Sequence, residues 1–147
     1  MKRRVLLACV IASALLAQGC AATGPVFASL QPSAAEKGQV YLYRQSALYA
    51  VGSRYKVRSE DGSVAEELPN ASYLLLPLSP GPHRLSVEEA SVYQPKTFDI
   101  TIEAGRNYFV EYDSSRGLLV GWGLLSRMEQ RSEAEALAHL QGLRRAN

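Results

Sequence analysis

Side chains able to do chemistry are few in this sequence of 147 residues: two cysteines, Cys9 and Cys20, two histidines, His83 and His139, and fourteen carboxylates among sixteen lysines and arginines. A metal site or a histidine-based triad would have to be built on His83. His139 falls on an expected surface helix, with no acidic or thiol partner at a telling spacing. His83 follows the Pro80-Gly81 turn on the apolar parity of its strand, where it reads either as a structural histidine bonding a turn carbonyl or as a ligand or catalytic imidazole. Glu66-Glu67 and Glu88-Glu89 are adjacent carboxylates, but neighbours on a strand point to opposite faces, so both pairs read as solvated edges. Nucleophile elbow, phosphate loop and Cys-x-x-Cys pair are all absent from the sequence. The expectation is therefore a protein that is not an enzyme and has no cofactor or metal.

Cys20 is different, because its surroundings specify a modification. Lys2, Arg3 and Arg4 form a positive start, and Val5 to Leu16 is an uncharged apolar run of the length of a signal-peptide core. A spanning helix needs about 20 apolar residues, so this run is too short to cross and reads as removed. The following Leu16-Ala17-Gln18-Gly19-Cys20 resembles the lipobox of bacterial lipoproteins. Small residues suit a peptide lying extended in a narrow protease site, and the cysteine supplies the thiolate that is alkylated. The resemblance implies cleavage before Cys20, diacylglycerol and palmitate on the new N-terminus, and attachment to a membrane through that lipid. An ordinary signal peptide cleaved nearby, with Cys20 a chance residue, is the alternative. Ala21 is not the aspartate associated with inner-membrane retention, so the resemblance favours the outer membrane, facing the periplasm.

Lipidation would also explain the cysteine count. Loss of Cys9 with the signal leaves one thiol in an oxidising compartment, unable to form an internal disulfide and blocked if acylated. Charge changes meaning too. Without Lys2, Arg3 and Arg4 the net +2 becomes 13 basic against 14 acidic residues, or −1. Only Arg144-Arg145 remains as a basic cluster, which gives nucleic acid nothing to bind.

The elements that would position any site are mostly strands. Residues 20–36 carry Gly24, Pro25 and Pro32 without a sustained period and read as a lipidated tether reaching some tens of ångströms, with Val26, Phe27 and Leu30 able to dock. Gln39 to Arg44 is rich in β-formers on both parities, and Arg54 to Arg58 alternates. Glu60-Asp61-Gly62 is a hairpin turn, with Ser63 to Leu68 returning from it. Ala71 to Leu78 is apolar on both parities and suits a central strand. His83, Leu85 and Val87, then Phe98, Ile100 and Ile102, alternate cleanly. Ala104-Gly105 reads as another hairpin before Tyr108, Val110 and Tyr112. Turn signals about every ten residues indicate an antiparallel immunoglobulin-like sandwich over residues 37–128. Ser132 and Glu135 then form a capping box, and Ala134, Leu137, Ala138, Leu140 and Leu143 give an apolar side to a helix over 132–144 packed on the sandwich, ending in Arg144-Arg145 at the negative end of its dipole.

The runs Lys37 to Arg44, Leu68-Pro69-Asn70-Ala71-Ser72-Tyr73, Pro80-Gly81-Pro82-His83, Glu103-Ala104-Gly105 and Tyr108-Phe109-Val110 resemble a family of short bacterial lipoproteins classed as a domain of unknown function. The Pro-Gly-x-His turn is similar to one in small periplasmic sandwich repeats named for a Pro-Glu-Gly-Ala motif. These resemblances imply a β-sandwich in the envelope and no established activity. Ala71 departs from the Asn-Gly-Ser-Tyr turn expected there.

Two features suggest surfaces. Gly117 to Leu125 is strongly apolar and holds the only tryptophan, so Leu118, Leu119, Trp122 and Leu124 are a possible interaction surface; a final strand completing the sheet is the other reading. Eight tyrosines would suit saccharide or peptide contact, or packing on strands. The function expected is a non-catalytic, lipid-anchored envelope protein that binds or scaffolds other envelope components. A small-ligand or glycan-binding periplasmic module is the alternative, and a tyrosine-lined concavity would mark it.

Overall fold

The computed structural model describes residues 21–48, 51–89, 95–114 and 126–147. These residues form β1 (Gly38–Arg44), β2 (Tyr55–Ser59), β3 (Ala65–Leu68), β4 (Ser72–Leu78), β5 (Gly81–Glu88), β6 (Lys96–Ile102), β7 (Asn107–Asp113), β8 (Arg127–Gln130), α1 (Glu133–Leu140) and β9 (Arg144–Arg145). The strands make two sheets, ordered β8-β7-β1-β4-β9 and β3-β2-β5-β6. The mainly β sandwich with a C-terminal helix is thus as its alternation predicts.

Alternation also sets which sheet each strand joins. In β2 the buried residues Tyr55, Val57 and Ser59 alternate with exposed Lys56 and Arg58, so this sheet has one wet face. Every residue of β1 is buried, and five successive residues of β7 are. Such strands need cover on both sides, and they lie at the centre of the five-stranded sheet. Between the sheets, Val40, Leu42, Leu74, Leu76 and Val110 meet Val57, Leu85, Val87, Ile100 and Ile102. The outer face of the five-stranded sheet carries a second cluster of Tyr41, Tyr43, Tyr73 and Phe109, roofed by Ala136, Leu140 and Leu143, with Phe27 and Leu30 packed against it. Each buried leucine there contributes roughly 1.5–3 kcal/mol of transfer free energy.

Three sequence expectations need correction. First, the sheets are not wholly antiparallel, since β1 runs parallel to β7 and β4 parallel to β9. Second, Ala104-Gly105 is not a hairpin. It carries the chain from β6 in one sheet to β7 in the other, with Gly105 at φ 72° and its amide donating to Lys37 O at 3.0 Å. A strand apolar on both parities cannot lie beside β6 at the edge of the half-wet sheet without exposing one of its faces. Third, the helix stops at Leu140. Gly142, at φ 83°, reverses the chain, and Arg144-Arg145 pair with Ser72 and Tyr73 instead of lying at the helix end. The capping box is present as expected, with Ser132 Oγ accepting from Glu135 N and Glu135 Oε2 from Ser132 N.

Two backbone positions explain local sequence choices. A Cβ on Gly38 would meet Glu103 O at 2.7 Å, so glycine lets β1 start against the end of β6. Ala71 sits at φ 52°, the left-handed conformation that the Asn-Gly-Ser-Tyr turn demands of its glycine. The turn is therefore kept, with strain.

Candidate functional site

Residues 21–31 do not run as a free tether. Gly24 N donates to Arg145 O at 3.1 Å, Arg145 N to Pro25 O at 2.9 Å, and Phe27 N to Leu143 O at 2.8 Å. Val26 forms an antiparallel bridge with Arg144, which makes this strap a further strip beside β9 and covers an edge that would otherwise be open. Phe27 stands edge-on to Tyr41 and Tyr73, with ring centroids 6.3 Å and 5.7 Å away, and Tyr41 Oη accepts from Gln31 N at 2.7 Å. Upstream, Thr23 Oγ1 accepts from Asn147 Nδ2 at 3.1 Å, and Ala21 O accepts from Arg54 at 3.4 Å. Docking of Phe27 and Leu30 was expected from their apolarity; the pairing with the C-terminus was not. Cys20 and the stretch with Leu118, Leu119, Trp122 and Leu124 lie outside the described residues.

A polar cleft of about 250 Å³ opens beside β7, lined in part by Gln45, Ala47, Glu111, Arg131 and His139. Glu111 lies on the outer parity of β7, opposite Tyr43 on β1 and Glu129 on β8. Its buried carboxylate accepts from Arg131 Nε at 2.7 Å and from Gln45 Nε2, and His139 Nδ1 lies 3.6 Å away. Arg131 also reaches Glu129 at 2.9 Å, and Tyr43 Oη is 3.4 Å from His139 Nδ1. Burial, and secondly the negative charge of Glu111, raise the Tyr43 phenol well above its ordinary pKa. Both Glu111 oxygens are thus engaged and Tyr43 holds its proton, so the polar recognition that the cleft offers rests on groups already bonded to one another, with the His139 imidazole beside them. His139 does have an acidic partner, contrary to the sequence reading. The helix capped at Ser132 brings it over β7, and no local spacing could have indicated that.

His83 is a turn-bonding histidine by geometry. Its Nε2 donates to Ser79 O at 2.8 Å, leaving Nδ1 3.9 Å from Asp61 Oδ2. Asp61 Oδ1 in turn accepts from Ser59 Oγ, Ser63 N and Ser63 Oγ, and these bonds hold its carboxyl down at about 2. The serines bond the carboxylate directly, with no imidazole between them, so the group closes the hairpin and is not a triad. Of the paired glutamates, Glu67 meets Arg54 at 3.2 Å and Glu88 meets Arg58 at 3.3 Å. Glu89 departs from the expected solvated edge. It is buried, and its charge acts on Arg44, whose guanidinium is enclosed over the Tyr55 ring at 4.2 Å and donates to Ser114 and Ser53. Glu88, the last residue of β5, is partly exposed, and Glu89, just past the strand end, turns inward on the parity of Leu85 and Val87. Among the described residues, no three His, Cys, Asp or Glu side chains are grouped to hold a metal ion.

Six tyrosines fall in the described residues, and all six are buried in the two clusters; of these Tyr112 also borders the Glu111 cleft. Comparison with curated proteins finds no match. One family model, described as Protein of unknown function (DUF2846), matches residues 34–122, from the approach to β1 to beyond the end of β7, and the chain belongs to that family.

Proposed function

We propose that this chain is a non-catalytic lipoprotein of the bacterial envelope, cleaved before Cys20, acylated there, and held at the outer membrane facing the periplasm, where its sandwich binds or scaffolds other envelope components. The observation that carries the reading is the join between the lipobox and the fold. The residues directly after Cys20 enter bonds to Arg54, Asn147 and Arg145, so a lipid on that cysteine would hold the whole sandwich. Engagement of both Glu111 oxygens argues against that carboxylate as a general base, and the burial of the six described tyrosines argues against a stacking platform for sugars.

A second reading, capture of a small polar ligand, is favoured by the Glu111 cleft, although its volume of about 250 Å³ is just below the roughly 300–1,000 Å³ usual for ligand sites. Metabolic labelling with a clickable palmitate, on the wild type and on Cys20→Ser, tests the anchor. Label and membrane association present in the wild type and lost from the variant support it; a wild type that never takes label sinks it. Photo-crosslinking from Ala47, on the cleft lip, then separates a protein partner from a small ligand.

A further inference from the structure

The strap limits how far the sandwich can stand from the membrane. Between Cys20 and the first backbone bond at Gly24 there are four Cα steps, which span ~14 Å at full extension. A free coil over residues 20–36 would average about 22 Å and could stretch to roughly 55 Å. Even the short leash is not slack, because Ala21 O is bonded by Arg54, Ala22 is buried and Thr23 is bonded by Asn147.

These contacts also place the leash on the fold. Asn147 lines a shallow cleft with Lys56, Glu66 and Glu67, so the leash leaves where the β3 edge of one sheet meets the β9 edge of the other. The opposite side of the sandwich is where β6 lies against β8. Strands are spaced about 4.8 Å apart, so across four or five strands the two sides are separated by roughly 15–20 Å.

Resting on the lipid anchor proposed above, we infer that the sandwich lies against the phospholipid leaflet with its β3/β9 side on the headgroups and its β6/β8 side turned away. Arg54, Lys56 and Arg144, interspersed with Glu66 and Glu67 and with Arg54 paired to Glu67, make this rim polar and of mixed charge, so that it can lie among hydrated headgroups without entering the hydrocarbon. The headgroup layer is only about 5–7 Å thick on each side, so a leash of this length holds that rim at or near the layer.

The test uses full-length lipidated protein in phosphatidylethanolamine and phosphatidylglycerol vesicles carrying a headgroup nitroxide. A fluorophore is placed on Glu66→Cys or Thr101→Cys, on exposed positions of β3 and β6 respectively. Quenching at 66 at least about threefold that at 101 is expected from the difference in depth. Gly24→Val should abolish the contrast, because its side chain would strike Arg145 O and the Asn147 side chain and release the strap. Equal quenching at the two sites in vesicle-bound, acylated protein overturns the orientation alone. Unacylated protein that does not sediment with the vesicles overturns the anchoring reading, and the orientation with it.

Discussion

Phe27→Ala tests whether the strap belongs to the fold. Phe27 is half-buried and stands edge-on to both Tyr41 and Tyr73. Truncating a fully buried phenylalanine costs about 3–5 kcal/mol, so half burial implies roughly 2 kcal/mol. Loss of two edge-on ring contacts, each worth about 0.5–1.5 kcal/mol at full strength, takes the expected destabilisation to about 2–3 kcal/mol. For a domain of this size that is a fall in Tm of roughly 6–12 °C. Urea unfolding of the wild type and variant would measure it, and hydrogen exchange at Gly24, Phe27 and Arg145 would show whether the strap opens alone or with the sheets, because those amides donate across the strap–β9 junction. A loss below about 0.5 kcal/mol, together with exchange of the Gly24 and Phe27 amides at free-peptide rates, would refute a docked strap and restore the flexible tether.

Three more outcomes are expected. Ala71→Gly should raise stability by about 1 kcal/mol in urea unfolding, since glycine relieves the strain of φ 52°; a neutral or destabilised variant would show that the Ala71 methyl packing outweighs the strain. Tyr43 has its pKa raised by burial first and by Glu111 second, so its stabilising contribution is complete below the unfolded value near 10 and is lost as pH rises above it. Tyr43→Phe should therefore lose at most about 1 kcal/mol at neutral pH and unfold later than wild type in an alkaline titration followed by circular dichroism; an unchanged alkaline midpoint would contradict this. Asp61 is depressed to about 2 by its bonds to Ser59 and Ser63, so its contribution is present above the unfolded value near 4 and lost as pH falls toward 2. Carboxyl NMR titration should find that value, and Ser63→Ala should move it upward; an Asp61 titrating near 4 in the wild type would remove the turn clamp.

Much of the strand inventory was legible because a two-residue period reports directly on which face is buried. The Phe98, Ile100 and Ile102 alternation and the all-round apolarity of β1 and β4 are each readable within a few residues. The capping box at Ser132 was legible for the same reason, since both partners lie within one turn. Pairing partners were not. The Ala104-Gly105 turn has the composition of a hairpin, yet it joins two sheets. Nor does anything near His139 in the sequence, where Glu133 and Glu135 are the neighbouring acids, hint that Glu111 lies beside it.

What the residues determined by themselves is local: where strands run, which parity is apolar, where the helix is capped, and, through resemblance alone, the expectation of a lipid on Cys20. What only the tertiary structure decided is which surfaces meet. The parallel pairing of β1 with β7, the polar cleft at Glu111 and the locking of residues 21–31 onto the C-terminus all join groups far apart in sequence. The strap contacts cover part of the tyrosine-rich outer face and the sheet edge at β9, and a requirement of that kind leaves no period or spacing in any one segment.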